Sequence, residues 1–317
     1  MREIPADIQE QIEKIRQKCS QIKPCVVIHS LAYNHGPYIR EALEGFVNQR
    51  TDFSIVAVVH DDASTDNTAV ILREYAERYP DIILPIFESE NQYSNPEGWL
   101  GEVMKLAMEA SGALYIAMCE CDDYWTDPLK LQKQVDFLEA NPGYSMCFHR
   151  AKVIYESQPM KKSTLFRKIQ NRDYIIDELF LDWIVPTASI VFRSKFSNAI
   201  RLNSDFMYGD GILVLSMASC GKVYALSDEM SVYRRVDSGV ILSTVKSDHY
   251  YEQLFKNLIA IKKNFNGISD SAYRKKYTIR CLGYILYSLK KCKLGTVLRI
   301  ICKKDFKWKY CFCVLKY

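Results

Sequence analysis

The residues best equipped for chemistry gather in AMCECDDYWTDP, Ala117 to Pro128, where an apolar run ends in Glu120, Asp122 and Asp123. Three carboxylates within four residues repel one another, and any that are buried lose their hydration as well. A cation relieves that cost. Hard divalent ions such as Mn²⁺ and Mg²⁺ take oxygen ligands and keep positions open for water or phosphate. The stretch therefore predicts a strand with a metal-diphosphate site at its tip. A solvated acidic turn is the plain alternative, and it accounts for Asp127 as a helix N-cap and Pro128 at the first helical position. It leaves Glu120, Asp122 and Asp123, beside Trp125, without a reason.

The elements around this stretch must place it. CVVIHSL (Cys25 to Leu31) and FSIVAVVH (Phe53 to His60) are short β-branched apolar runs and predict buried strands. Between them Ile39, Leu43, Phe46 and Val47 share a helix face. Asp61 and Asp62 end the second strand, and Ser64 to Asn67 supply a capped start for a helix through Val70, Ile71, Leu72 and Tyr75. Asx-type capping by Ser64 and Asp66 is expected to occupy one of the two acids. A strand over Ile82 to Phe87, a polar loop SENQYSNPEG, a helix over Trp99 to Ala110, a strand over Ala113 to Cys119 and a helix over Leu129 to Leu138 follow. Strands separated by helices predict a mainly parallel α/β sheet covered on both faces, with ligands at the carboxyl ends of the strands. Both acidic clusters fall at such ends.

After Pro142 the rhythm changes. Tyr144 to Tyr155 is strand-like, Met160 to Arg172 a basic loop, Ala188 to Phe192 a strand and Ile212 to Ala218 a helix. Lys222 to Tyr233 reads as strands broken by a turn at Ser227-Asp228, and from Tyr250 the pattern is helical.

With 317 residues, 48% hydrophobic and 25% charged, the composition is that of a globular protein with a full core. No run of about eighteen apolar residues suggests a spanning helix. The opening MREIPADIQEQIEKIRQKC has no apolar signal-peptide core. Eleven cysteines, mostly in apolar runs, read as reduced thiols, so the expected location is cytoplasmic. The net charge of +4 hides a basic end: from Lys290 onward nine Lys and Arg face the single acid Asp305, interleaved with Leu294, Leu298, Ile300, Phe306, Trp308 and Phe312. That pattern suits peripheral contact with an anionic membrane surface. A terminal helix docked on its own domain and a nucleic-acid patch are the other two readings, and no nucleic-acid partner is expected.

These stretches resemble family 2 inverting glycosyltransferases of GT-A fold. The matching residues are VVIHSLAYNHGPYIREALEGFVNQ, VVHDDASTDNT and CECDDYWTDPLKLQKQVDFL, then PTASIVFRS, YGDG and MSVYRR, covering about Cys25 to Arg235. The resemblance implies an N-terminal helix over 1–24, a GT-A domain over 25–236 and a helical basic region over 237–317. Within the GT-A domain, 25–142 would be the nucleotide-sugar half and 143–236 the acceptor half. It implies a nucleotide-diphosphate sugar donor, UDP-linked by preference, with Asp62 on the base and Tyr33, Asn34, Glu90 and Asn91 around the nucleotide. It also implies Asp122 on Mn²⁺ or Mg²⁺, with Glu120 and Asp123 toward the donor. Glu120 stands where an aspartate is usual. Asp210 matches the family's general base, although it also suits a helix cap. Relatives often carry a tryptophan after this aspartate and a histidine after the YR pair, where this chain has Gly211 and Val236. The expected acceptor is a glycan or lipid-linked hydroxyl in surface-glycan synthesis, at the cytosolic face of the membrane. Sugar nucleotidyl transfer and non-catalytic nucleotide-sugar binding are the rival readings. The former expects a glycine-rich phosphate loop, which LAYNHGPYI is not.

Overall fold

The computed structural model describes residues 4–93, 95, 99–201, 206–207, 209–236, 246–303, 305–307 and 310. The chain divides into two compact units, Met1–Asp173 with Ile184–Ala199 and Cys220–Val236, and Tyr174–Trp183 with Ile200–Ser219 and Asp237–Tyr317.

The first unit is built on β1 (Val26–Ala32), β2 (Ile55–Asp61), β3 (Ile83–Phe87) and β4 (Tyr115–Met118), parallel neighbours in the order β3-β2-β1-β4. β2 is buried along its whole length and β1 at all but Leu31, as expected of parallel strands with helices on both faces. α1 (Ala6–Ile22) and α4 (Leu100–Ser111) pack together and lie against β3 and β1. The residues of α2 (Ile39–Val47), α3 (Thr68–Arg78) and α5 (Lys130–Ala140) share a core with Val26, Ile28, Ala57 and Val59. On α2, Ile39, Leu43 and Phe46 fall on the buried face, as their i, i+4, i+7 spacing requires.

Beyond β4 the sheet turns mixed. β5 (Tyr124–Trp125) and β6 (Tyr144–Tyr155) belong to this half, as do β7 (Arg172–Tyr174), β8 (Val191–Arg193) and β9 (Lys222–Arg235). β8 runs antiparallel to β4 and β6, β6 parallel to β9, and β5 antiparallel to β9. Two expectations are corrected here. The strand over Ala188 to Phe192 is shorter, because Ser189 turns back on Pro186 through both its amide (2.9 Å) and its hydroxyl (2.6 Å). The break at Ser227-Asp228 is a register shift opposite His149-Arg150 within one continuous β9, so the two residues form a bulge and not a turn. Asn171 and Lys133 satisfy them, accepting from the Ser227 amide at 2.7 Å and donating to Asp228 at 2.9 Å.

Trp125 packs behind the acidic turn. Its indole N–H reaches the Ala188 carbonyl at 2.8 Å, and its ring meets Phe46 edge-on at 5.0 Å. α2 approaches so closely that a Cβ on Gly45 would lie 3.1 Å from the Trp125 amide nitrogen. Lys130 is fully buried, its ammonium 4.0 Å from the Trp125 ring centre, and burial draws its pKa down to about 7.

The second unit is helical: α6 (Ile176–Leu181), α7 (Gly209–Cys220), α8 (Asp248–Asn264), α9 (Asp270–Lys290) and α10 (Leu294–Ile301). Ser247 and Ser269 cap α8 and α9, each accepting a backbone N–H at 3.1 Å. α7 is buried from Ile212 through Met217. The Tyr251 and Tyr284 rings stack at 4.5 Å between α8 and α9. In the basic end, Ile300 and Phe306 are buried while Leu294 and Leu298 stay exposed. Trp308 and Phe312 lie outside the described residues. No helix among the described residues is long and apolar enough to cross a membrane.

Candidate active site

The carboxyl ends of β1 to β4 present the acidic residues, and the loops that follow them are cross-tied. Asn34 adopts a left-handed backbone (φ 54°). Its N–H donates to Ser64 Oγ at 2.9 Å, and its side-chain oxygen accepts from the Thr65 amide at 2.8 Å. The Gly36 N–H donates to Asp66 Oδ2 at 2.9 Å, and a Cβ at Gly36 would fall 1.9 Å from the Asn67 side-chain oxygen. Asp66 also accepts from the Thr68 amide (2.9 Å), capping α3. Burial works against its charge, but the Thr68 and Gly36 hydrogen bonds hold its pKa below the ordinary value. Asp61 takes the Ser64 hydroxyl, the capping role expected of one acid of the pair, and burial pushes its pKa up. Tyr33 stands 42% exposed beside these loops.

Asp62 is fully buried, which a strand-tip acid facing a nucleotide would not suggest. One oxygen accepts from the Gln92 amide at 2.7 Å. The other accepts from the Tyr93 amide at 2.9 Å and the Asn91 side chain at 3.0 Å. Its direct work is to pin the loop after β3, on which Glu90 lies exposed and Asn91 half-buried. Glu88 braces that loop from below, within 3.2 Å of His60 Nε2 and accepting from the Trp99 indole at 3.1 Å. Sequence reasoning did not find this trio, in which His60 and Glu88 are buried and Trp99 half-buried. The polar His60 following the apolar run Ile55 to Val59 of β2 was the available signal.

At the end of β4, Glu120 is exposed and Asp123 buried. Asp123 Oδ1 accepts from the Arg234 amide at 2.7 Å. Burial, with repulsion from Asp122, raises its pKa well above the carboxylate range. The Arg234 guanidinium donates to the Asp122 carbonyl at 2.9 Å, pairs with Glu41 and lies 4.8 Å and 5.3 Å from the Tyr38 and Tyr124 ring centres. These contacts make Arg234 a structural ion-pair partner at this turn.

Asp122 Oδ1 is shielded from water without a hydrogen-bond partner among the described residues. Such a carboxylate oxygen beside an exposed Glu120 fits a hard divalent ion whose other ligands are diphosphate and water. No three His, Cys, Asp or Glu residues converge into a ready-made set among the described residues. His35 also reaches this corner. Burial lowers its pKa against the pull of Asp122, Asp66 and Asp61, and its Nδ1 is buried without a partner among the described residues. Sequence reasoning passed over His35, although it follows β1, the neighbour of β4.

In the second unit, Asp210 opens α7 and accepts from the Gly211 amide at 2.7 Å. Burial raises its pKa, opposed by the Gly211 amide and the Trp183 indole. The carboxylate is thus oriented and poised nearer to proton uptake than an exposed aspartate. Asp205 and Tyr208 lie outside the described residues.

A family model described as glycosyl transferase family 2 matches residues 27–202, more than half of the chain and ending before Asp210. An uncharacterized protein of Mycobacterium tuberculosis is 39% identical over 214 residues, 67% of this chain and 59% of its own length. The chain thus spans about three fifths of that relative. TuaG of Bacillus subtilis, a putative teichuronic acid biosynthesis glycosyltransferase, is 29% identical over 220 residues, 69% of this chain and 82% of that protein. Among solved structures, residues 1–349 of S. aureus TarS in complex with UDP match with a TM-score of 0.60 at 15% identity, over 88% of this chain and 82% of that one. At that identity the likeness is one of fold, and the fold is the GT-A type.

Proposed function

The chain belongs to glycosyl transferase family 2, and on that premise we propose that it moves a sugar from a nucleotide-diphosphate donor to an acceptor hydroxyl with inversion. The single observation that carries the donor half is the buried Asp122 oxygen beyond β4, without a partner among the described residues, where three acids would otherwise repel. Asp122 would hold Mn²⁺ or Mg²⁺, which supplies charge neutralisation for the departing diphosphate. The cross-tied Asn34 and Asp66 loops, with exposed Tyr33 and the Asp62-pinned loop carrying Glu90 and Asn91, would cradle the nucleotide. Exposed Glu120 would reach donor hydroxyls, while Asp123 fixes the turn through the Arg234 amide. Asp210 would take the acceptor proton as the new C–O bond forms and the bond to diphosphate breaks, the leaving group carrying off the electron pair.

UDP is the nucleotide favoured, since the matched TarS structure holds UDP. A role in surface-glycan synthesis on a glycan or lipid-linked acceptor, at the cytosolic membrane face, is supported by the likeness to TuaG, named for teichuronic acid biosynthesis, and by the exposed Leu294 and Leu298 of α10, within the basic region from Lys290 onward. A thermal-shift screen of nucleotide sugars with Mn²⁺, followed by donor-turnover assays on the hits, tests the reading. A donor bound at a hundred times its Kd stabilises the fold by about 2.7 kcal/mol. No stabilisation and no turnover with any nucleotide sugar would overturn it.

A further inference from the structure

The second unit encloses a cavity of about 80 Å³ that the chemistry above does not use. Its apolar wall comes from α6, α7 and α8, with Phe180, Ile212, Leu215 and Leu258 among the lining residues. Gly211, the residue after Asp210, opens onto it, and a Cβ there would meet nothing within 4 Å. The α9 wall is different in kind, being formed by Lys276 and Arg280.

These cations stand four residues apart on one helix, where like charges repel. Lys276 donates to the Phe180 carbonyl and lies 4.6 Å from the Phe180 ring centre. Burial, then the nearness of Arg280, draws its pKa down to about 8, with Asp182 pulling the other way. Among the described residues, the Arg280 guanidinium on this wall makes no hydrogen bond or ion pair. Two cations on a cavity whose other lining residues are uncharged, Asn257 being the one polar side chain among them, give that wall a positive character that an anion would balance. The volume bounds the apolar part. An engineered cavity of about 150 Å³ takes benzene, so this one suits a short alkyl or acyl group and not a whole ring.

We infer that this cavity is an acceptor subsite for an alkyl phosphate-like group, its phosphate on Lys276 and Arg280 and its first carbons in the pocket beside Gly211. The inference rests on the transferase reading for the word acceptor only, because binding at the cavity requires neither donor nor metal.

Calorimetric or ligand-observed NMR titration of the full chain with ethyl, butyl and octyl phosphate, inorganic phosphate and butanol tests it. Butyl phosphate should bind saturably, and each added methylene that enters the cavity should improve affinity about fourfold, levelling off once it is full. Inorganic phosphate and butanol should each bind at least tenfold more weakly, which separates an alkyl phosphate from a free-phosphate site. Arg280→Gln should weaken butyl phosphate at least tenfold. Gly211→Leu should abolish the chain-length dependence while leaving a well-folded protein, since its side chain has room. Absence of saturable binding to wild type would overturn the inference. So would affinities that neither variant changes, or an affinity for inorganic phosphate equal to that for butyl phosphate. Donor turnover, measured separately, stands or falls without reference to these results.

Discussion

Asp62→Asn isolates the loop clamp. The aspartate keeps one oxygen for the Gln92 amide and the other for the Tyr93 amide and Asn91 side chain, all inside a fully buried pocket. Asparagine retains one acceptor oxygen and turns an NH₂ toward donors that then have no acceptor. Hydrogen bonds to a charged group contribute about 1.5–3 kcal/mol each, so losing the pair on one oxygen costs about 3–6 kcal/mol. Where the loop opens locally, that cost appears as lost protection and not as global unfolding. At about 1.4 kcal/mol per tenfold, the Gln92 and Tyr93 amides should exchange with solvent about 10² to 10⁴ times faster. Hydrogen-exchange mass spectrometry of the segment after β3 reads this directly, and donor affinity should fall in parallel. Unchanged exchange at Gln92 and Tyr93 would refute the clamp. A global loss of cooperative unfolding would instead place Asp62 in the folding core.

Asp210→Asn keeps an acceptor for the Gly211 amide but removes the base, so donor affinity should stay within about twofold while transfer falls by about 10² to 10⁴. A loss confined to KM would mark Asp210 as a binding residue. Because burial raises its pKa, wild-type transfer should fail on the acid side at a pH above the ordinary aspartate value. The same shift means that wild-type stability declines as pH rises through that raised pKa. Asp210→Asn should therefore be the more stable protein at neutral pH, the gap closing in acid. For Lys130 the sign reverses. Its folded pKa of about 7 lies below the unfolded value, so the unfolded chain binds the extra proton and wild-type stability gains from rising pH. The stability of wild type minus that of Lys130→Met, measured by urea denaturation, should rise by about 1.4 kcal/mol per pH unit between about pH 7 and 10. A flat difference would show that Lys130 stays charged.

Much of the parallel part of the first unit was legible because its signals are local. β1 and β2 each open on a β-branched apolar run, α2 repeats its apolar residues at 3.6 spacing, and Tyr144 to Tyr155 is β6 to the residue. The acidic tips of β2 and β4 follow from strand ends in a parallel sheet. What sequence could not give is which acid is held by what. Asp62 is claimed by amides 30 residues later, and Asp123 by the Arg234 amide 111 residues later, in backbone hydrogen bonds that no side-chain pattern announces. The Ser227-Asp228 pair looked like a turn because a bulge and a turn use the same residue types; β6 beside it decided the matter. The cavity beside Gly211 arises from four helices spread between residues 176 and 290, and only its missing side chain was visible beforehand.

Whether the tip of β4 holds a metal-bound diphosphate is decided by calorimetric titration of UDP into wild type and Asp122→Asn, each with Mn²⁺ and with chelator. Wild type should bind UDP at least tenfold more tightly with Mn²⁺. The variant, keeping the shape of the turn without its charge, should bind equally weakly in both. Wild-type affinity indifferent to chelator, or an Asp122→Asn protein with the full Mn²⁺ effect, would contradict it.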